Sequence, residues 1–313
     1  MEFIRNFHKL SKNDADIAGG KGASLGEMTQ VGIPVPPGFV VLASSFEKFI
    51  SDTQIDAEID AQLKKVNIKE MESVEEASEV IGGLIDSQEM PKEIEKEILH
   101  QFELLHSEFV AVRSSATAED ASDASWAGEL DSYLNATQKT VVDYAKKCWG
   151  SLFTPRAIFY RIEKKLHKHK IFVAVVVQKM INSEVSGICF TVHPVTTDPN
   201  QLIIEAGYGL GEAIVGGKIT PDSYVIHKKE NKIIEKNIPC QEMMIIRGEK
   251  GDTNEVEVAK TKQEKQKLND KKIIELSEIC KNIEKHYGKP QDIEWALEKG
   301  KIYIVQSRPI TTL

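Results

Sequence analysis

Cysteine is scarce in this chain of 313 residues: Cys148, Cys189, Cys240 and Cys280 lie far apart, with no CxxC pair. That spacing excludes a disulfide framework and a structural zinc site of the usual kind, and scattered thiols fit a reducing cytoplasm. Long apolar runs are also missing. The strongest, 171–177, is far too short to cross a bilayer, and residues 1–10 carry Glu2, Arg5, His8 and Lys9 where a signal core would be apolar. Basic residues are not in excess. The formal net charge of -8 argues against general nucleic-acid binding but leaves room for a local basic pocket for phosphates. There is no internal repeat, and no GKS or GKT stands where a Walker loop needs one.

What is present suits a globular protein: 41% hydrophobic and 28% charged residues. The length exceeds what one core usually serves, so two or three lobes are expected. Phe3, Ile4 and Phe7 read as a short strand, followed by a glycine turn at 19–22 and a short helix with Leu25 and Met28 on one face, ended by Gly32. Pro34, Pro36 and Pro37 force an extended connection. Residues 55–108 are helical by pattern, and 109–112 read as a buried strand. The polar stretch 113–128 reads as a long loop, of a length that is usually functional or disordered. Helices are predicted at 138–150, 155–168 and 262–287. Strands are predicted at 171–181, 186–192, 201–206, 222–228 and 232–238, with a closing hairpin from Asp292 to Arg308. Without βαβ alternation, the fold class is α+β.

Several segments have the chemistry of a phosphate site. Gly19-Gly20-Lys21-Gly22 would let backbone amides approach an anion while Lys21 places a mobile charge on it; the same glycines would also serve as a plain helix cap. Arg113 follows a strand, where it could grip phosphate as a fork, with Ser114 and Thr117 as hydroxyl donors; a surface pairing with Glu119 or Asp120 is the alternative. Residues 125–132, around Trp126 and Gly128, could form a lid or a hairpin tip. Gln178-Lys179-Met180 ends an apolar strand and could read an adenine edge, or be ordinary core. Glu205 opens a glycine cluster, 205–217, that allows close approach.

The hairpin is the most informative segment. A three-residue loop at 299–301 pairs Glu298 with Ile302, Ala296 with Ile304, Glu294 with Gln306 and Asp292 with Arg308. Asp292, Glu294, Gln306 and Arg308 then share one face, a hard-oxygen set suited to Mg²⁺ with an arginine for phosphate. The opposite face would be Ile293, Trp295, Leu297, Tyr303 and Val305. A solvated face with one salt bridge is the alternative.

In this order, GGKGASLGEM, GIPVPPGFVV, VAVRSSATAEDASDASWAGELDSYLN, the VVVQKM and SGICFT pair, IIEAGYGLGEAIVGG and DIEWALEKGKIYIVQSRPIT resemble the amino-terminal domain shared by phosphoenolpyruvate synthase, pyruvate phosphate dikinase and rifampicin phosphotransferase. The resemblance implies an ATP-grasp fold of two lobes, 1–178 and 179–313, with an ATP cleft between them. It implies Lys21, Arg113 and Arg308 as catalytic cations on the triphosphate, with Ser114 and Thr117 beside them. Asp292, Glu294 and Gln306 would hold Mg²⁺, Gln306 and Arg308 would also contact the nucleotide, and Gln178 and Met180 would form the adenine hinge. Gly128 would lie in a lid over the phosphates, and Glu205 near the sugar. The family's reaction moves the β-phosphoryl of ATP to a histidine on a swivelling domain, which then visits a pyruvate/phosphoenolpyruvate barrel domain or a drug-binding domain. None of the eight histidines lies in a TCHA-type segment. The expectation is that this chain binds ATP and Mg²⁺, with those domains as partners, and does not complete the cycle alone. The ASDASWAGELDSYLN loop is closer to the synthase branch than to the dikinase.

Overall fold

Helical periodicity dominates the first half of the chain and short alternating runs the second, and the structure sorts them into separate bodies. The computed structural model describes residues 1–117, 130–164 and 171–311. One unit comprises Met1–Gln30 and Pro37–Met180, the other Val31–Pro36 and Ile181–Leu313. Pro34 and Pro36 therefore belong to the second unit, where the Pro34 carbonyl accepts from Ile304 N–H at 2.9 Å.

The first unit runs β1 (Ile4–Asn6), α1 (Ala15–Gln30), β2 (Gly38–Val41), α2 (Ala43–Thr53), α3 (Asp56–Lys65), α4 (Met71–Ser87), α5 (Lys92–Leu104), β3 (Val110–Ala116), β4 (Ser132–Ala136), α6 (Val141–Gly150), α7 (Pro155–Glu163) and β5 (Val173–Lys179). Its sheet has the order β1-β2-β5-β3-β4 and is antiparallel throughout. The central strand β5 is covered on both faces, which is why its sequence is an unbroken apolar run. Val110, Val112, Val173, Val175 and Val177 join the helical core. There Trp149 packs on Phe46 and Phe49, with centroids 5.3 and 5.1 Å apart.

The other face of this sheet lies under α1. The expected glycine turn is a kink inside a helix, because Gly19 alone leaves helical geometry at φ 69° and ψ 165°. Glycine is required there twice over: the conformation is left-handed, and a Cβ would overlap the Ser115 backbone. Ser115 Oγ completes the junction, donating to the Ala18 carbonyl at 2.9 Å and accepting from Gly22 N–H at 3.1 Å.

The second unit runs β6 (Val185–Phe190), β7 (Gln201–Tyr208), α8 (Glu212–Val215), β8 (Asp222–His227), β9 (Lys232–Asn237), β10 (Met243–Arg247), β11 (Thr253–Glu257), α9 (Lys260–Gln263), α10 (Asp270–Tyr287), β12 (Gln291–Glu298) and β13 (Lys301–Pro309). Its main sheet has the order β13-β12-β6-β7-β8-β9, again antiparallel. Ile273, Leu276, Cys280 and Ile283 of α10 are buried, as are Leu202, Ile204, Ile293 and Trp295 on one face of the sheet. The helix expected at 262–287 is two helices. Between them Lys267 and Leu268 turn inward and are buried, and Lys267 N–H is given to Asp222 at 2.8 Å. Asn269 then caps α10 by accepting from Lys272 N–H, and left-handed Gly288 ends it. The β10–β11 ribbon was not expected, because β11 is almost wholly exposed and has no apolar alternation.

The closing hairpin corrects the expected register and arrives at the expected pairs. Its turn is two residues, Lys299 and Gly300, both at positive φ (50° and 74°), as a primed turn requires. Glu298 therefore faces Lys301 and Leu297 faces Ile302. A bulge between Glu294 and Trp295 then absorbs one residue of β13, and Glu294 meets Gln306 while Asp292 meets Arg308. The core face accordingly takes Ile302 and Ile304, at 2% and 0% exposure, in place of the expected Tyr303 and Val305.

Candidate functional site

The second unit builds an acidic face out of strand register. A single cross-strand row reads Gln306, Glu294, Ile188, Glu205, Ser223, and the next reads Arg308, Asp292, Phe190, Ile203, Val225. Residues two apart on a strand share a face, so Asp292, Glu294, Gln306 and Arg308 stand together, with Glu205 two strands away. Arg308 is committed to Asp292: its Nε lies 2.8 Å and its Nη2 2.7 Å from the same oxygen, Oδ2. Burial pushes the Asp292 carboxyl above its ordinary range, and the Glu294 charge adds to the rise, while Arg308 opposes it. Burial and the Asp292 charge push Glu205 up likewise.

In the first unit, strand parity puts Arg113 and Ser115 on the α1 side of β3 and Gln178 on the same side of β5. Lys21 joins them from α1, its Nζ donating to the Ser114 carbonyl at 2.7 Å. Lys21, Arg113 and Gln178 are thus brought to one face of one sheet. Ser114 is not, which corrects the expectation for its side chain. Its hydroxyl points to the opposite face, where it meets Ser151 Oγ at 3.0 Å and the Asp131 carbonyl at 2.9 Å. Thr117 follows β3, with its hydroxyl donating to the Phe172 carbonyl at 3.1 Å.

At the expected hinge, Lys179 N–H is given to Pro37 O at 2.9 Å and Met180 N–H to Phe109 O at 3.1 Å. Both amides serve the protein itself, and the Met180 side chain is half-buried. Of the expected lid, 125–132, Gly128 and the other residues of 125–129 lie outside the described residues.

The family described as "Pyruvate phosphate dikinase, AMP/ATP-binding domain" matches residues 15–313. The chain belongs to this family. A probable phosphoenolpyruvate synthase of Methanocaldococcus jannaschii is 48% identical over 320 residues, covering 100% of this chain and 27% of the relative. One of Archaeoglobus fulgidus is 49% identical, covering 97% and 41%. A rifampicin phosphotransferase of Bacillus cereus is 40% identical, covering 99% and 36%. The chain spans between 27% and 46% of the length of these and other curated relatives it matches.

For a pyruvate phosphate dikinase AMP/ATP-binding domain, the acidic face is the part whose chemistry can be tested against a metal. Among the described residues no three His, Cys, Asp or Glu side chains come together as a cation cluster. That excludes an all-protein cage of such ligands there, but Mg²⁺ is ordinarily held by one or two carboxylates, waters and substrate phosphates. Two mutually repelling carboxylates beside an amide oxygen fit that role.

Within the glycine cluster, Gly209 has a role in the protein's own packing. Gly209, at φ 87°, packs against the Ile245 backbone and its carbonyl accepts from Ser183 and Ser186 hydroxyls at 2.9 and 2.7 Å. Its close approach is to the protein's own ribbon. The sequence reading also missed Ile188 and Phe190, which stand half-buried on the acidic face beside its carboxylates. Alternation in VSGICF marks two faces, but only the strand order shows which neighbours those faces have.

The raised carboxyls set a pH dependence with a definite sign. A folded-state pKa above the unfolded one means that the ionised group costs stability at neutral pH, and that the cost disappears as pH falls through the window just above the ordinary carboxylate range. Glu205→Gln is therefore expected to raise the ligand-free melting temperature by about 1–3 °C at pH 7. The gain should shrink as pH approaches the ordinary carboxylate pKa, as scanning calorimetry at several pH values would read. A variant no more stable than wild type at pH 7 contradicts the raised carboxyl.

Proposed function

We propose that this chain is the nucleotide-binding part of a phosphotransferase that moves the β-phosphoryl of ATP to a histidine on a separate swivelling domain, as in phosphoenolpyruvate synthase. The placement of Asp292, Glu294, Gln306 and Arg308 on one sheet face carries the reading, together with family membership. In this reading Lys21, Arg113 and Arg308 are the cations that neutralise the triphosphate. Asp292, Glu294 and Gln306 hold Mg²⁺, which supplies Lewis-acid charge stabilisation when bound. Thr117, Gln178, Met180 and Glu205 contact the nucleotide, and Gly128 belongs to a lid. Catalysis is by positioning and charge stabilisation.

The histidine nitrogen attacks the β-phosphorus, the bond from the α–β bridging oxygen to that phosphorus breaks, and AMP leaves, with the β- and γ-phosphoryls on the histidine. Water takes the terminal phosphoryl, which departs as inorganic phosphate. A barrel domain binding pyruvate or phosphoenolpyruvate is the onward partner, and the setting is cytoplasmic; among the described residues no helix is long and apolar enough to cross a membrane. The 40%-identical relative named rifampicin phosphotransferase supports an antibiotic as the alternative acceptor. Incubating the chain with [β-³²P]ATP, Mg²⁺ and a histidine domain from a phosphoenolpyruvate synthase should label that domain and release AMP. Tight ATP binding with no labelled histidine would leave a nucleotide-binding module and sink the transfer reading.

A further inference from the structure

The two guanidinium nitrogens that reach Asp292 converge on one oxygen, Oδ2, at 2.8 and 2.7 Å. Oδ1 of the same carboxylate takes no hydrogen bond among the described residues. Asp292 is nearly enclosed, with a side-chain exposure of 14%, whereas Arg308 is half open at 49%. Glu294 stands two residues away on the same face. The place suited to a divalent cation therefore has a fixed positive neighbour, held there by one of its own carboxylates.

For a free divalent ion that neighbour is repulsive, and the Asp292 charge it would meet is already balanced. A triphosphate reverses the situation. It brings negative charge of its own and offers the planar guanidinium a pair of phosphate oxygens. Because Arg308 uses only Oδ2, it can turn to a phosphate and leave the carboxylate to the cation, so the exchange is between ion pairs of equal charge. We propose that Arg308 makes divalent-cation binding at Asp292 and Glu294 conditional on nucleotide, so that this face selects the metal–triphosphate complex over the free ion. The inference rests on the assignment of this face to a metal nucleotide, and names the residue that sets its specificity.

Mn²⁺ binding to the full chain, followed by electron paramagnetic resonance of the free ion, tests this without any turnover. In the absence of nucleotide, Arg308→Met is expected to bind Mn²⁺ about tenfold more tightly than wild type. Arg308→Lys, which keeps the charge, should stay within about twofold of wild type. A non-hydrolysable ATP analogue should raise wild-type Mn²⁺ affinity at least about tenfold, and raise that of Arg308→Met by less. A methionine variant that binds Mn²⁺ no better than wild type overturns the proposal, as does a wild-type affinity that nucleotide leaves unmoved. If the methionine variant fails to fold by circular dichroism, the wild-type coupling decides alone. Failure of the nucleotide assignment itself looks different: calorimetry would then detect no Mg·ATP binding to wild type, whatever Mn²⁺ does.

Discussion

Phosphoryl transfer should fall about a thousandfold in Glu294→Gln, with weaker Mg·ATP binding and an unchanged fold. The amide is nearly isosteric, and Glu294 is on the face away from the α10 core, so its replacement opens no cavity. What disappears is the negative charge that a cation would find beside Asp292. The companion Asp292→Asn should lose transfer to a similar degree but differ in a second respect. It also discharges the partner of Arg308, whose two contacts at 2.8 and 2.7 Å become hydrogen bonds to a neutral oxygen. Histidine labelling and calorimetry on both variants would check this, alongside circular dichroism for the fold. If Glu294→Gln keeps full transfer, the metal assignment to this face is wrong.

The second large effect concerns stability. Lys267 and Asp222 form an ion pair whose side chains are both at 0% exposure, with Nζ 2.8 Å from Oδ1. Asp222 Oδ2 also accepts from Tyr224 Oη at 2.6 Å and from Lys267 N–H at 2.8 Å. Lys267 Nζ donates to the Pro239 carbonyl at 2.7 Å. This network fastens the segment after α9 to the end of β8. Removing one partner leaves an uncompensated buried charge, so Lys267→Met should destabilise the second unit by about 3–5 kcal/mol. The double variant Lys267→Met with Asp222→Asn should recover part of the loss, because it removes the stranded charge. Urea denaturation followed by a probe in the second unit would measure both. A single-variant loss under about 1 kcal/mol would show that the pair is not sealed from water.

Both results depend on contacts that differ in how visible they are in the sequence. The carboxylates of the hairpin were visible, because period-two alternation puts Asp292 and Glu294 on one face whatever the partner strand. Their pairing with Gln306 and Arg308 was reached through a three-residue loop and no bulge, whereas the protein uses a two-residue loop and one bulge. The two differences cancel at the far end of the hairpin but not near its turn, and that is why Tyr303 and Val305 were misplaced while Gln306 and Arg308 were not. Ser114 was misread for a related reason. A strand end was treated as a loop in which every hydroxyl could reach a ligand, but alternation on β3 sends Arg113 and Ser114 to opposite sides. The helix expected at 262–287 is interrupted where Lys267 turns inward; an ion pair to a residue 45 positions away cannot be seen in local periodicity.

From the residues alone came the α+β class, the apolar faces, the ordered motifs that mark the family, and the identity of the acids, cations and amides with phosphate chemistry. These follow from local alternation, helical spacing and side-chain type, which any segment carries with it. The three-dimensional arrangement alone decided that β6 lies between β12 and β7, so that Ile188 separates Glu294 from Glu205. It alone placed Lys21 on the Ser114 carbonyl and turned Gly209 against its own ribbon. Such neighbours are chosen by strand order and by burial of charge, and those depend on residues far apart in the chain.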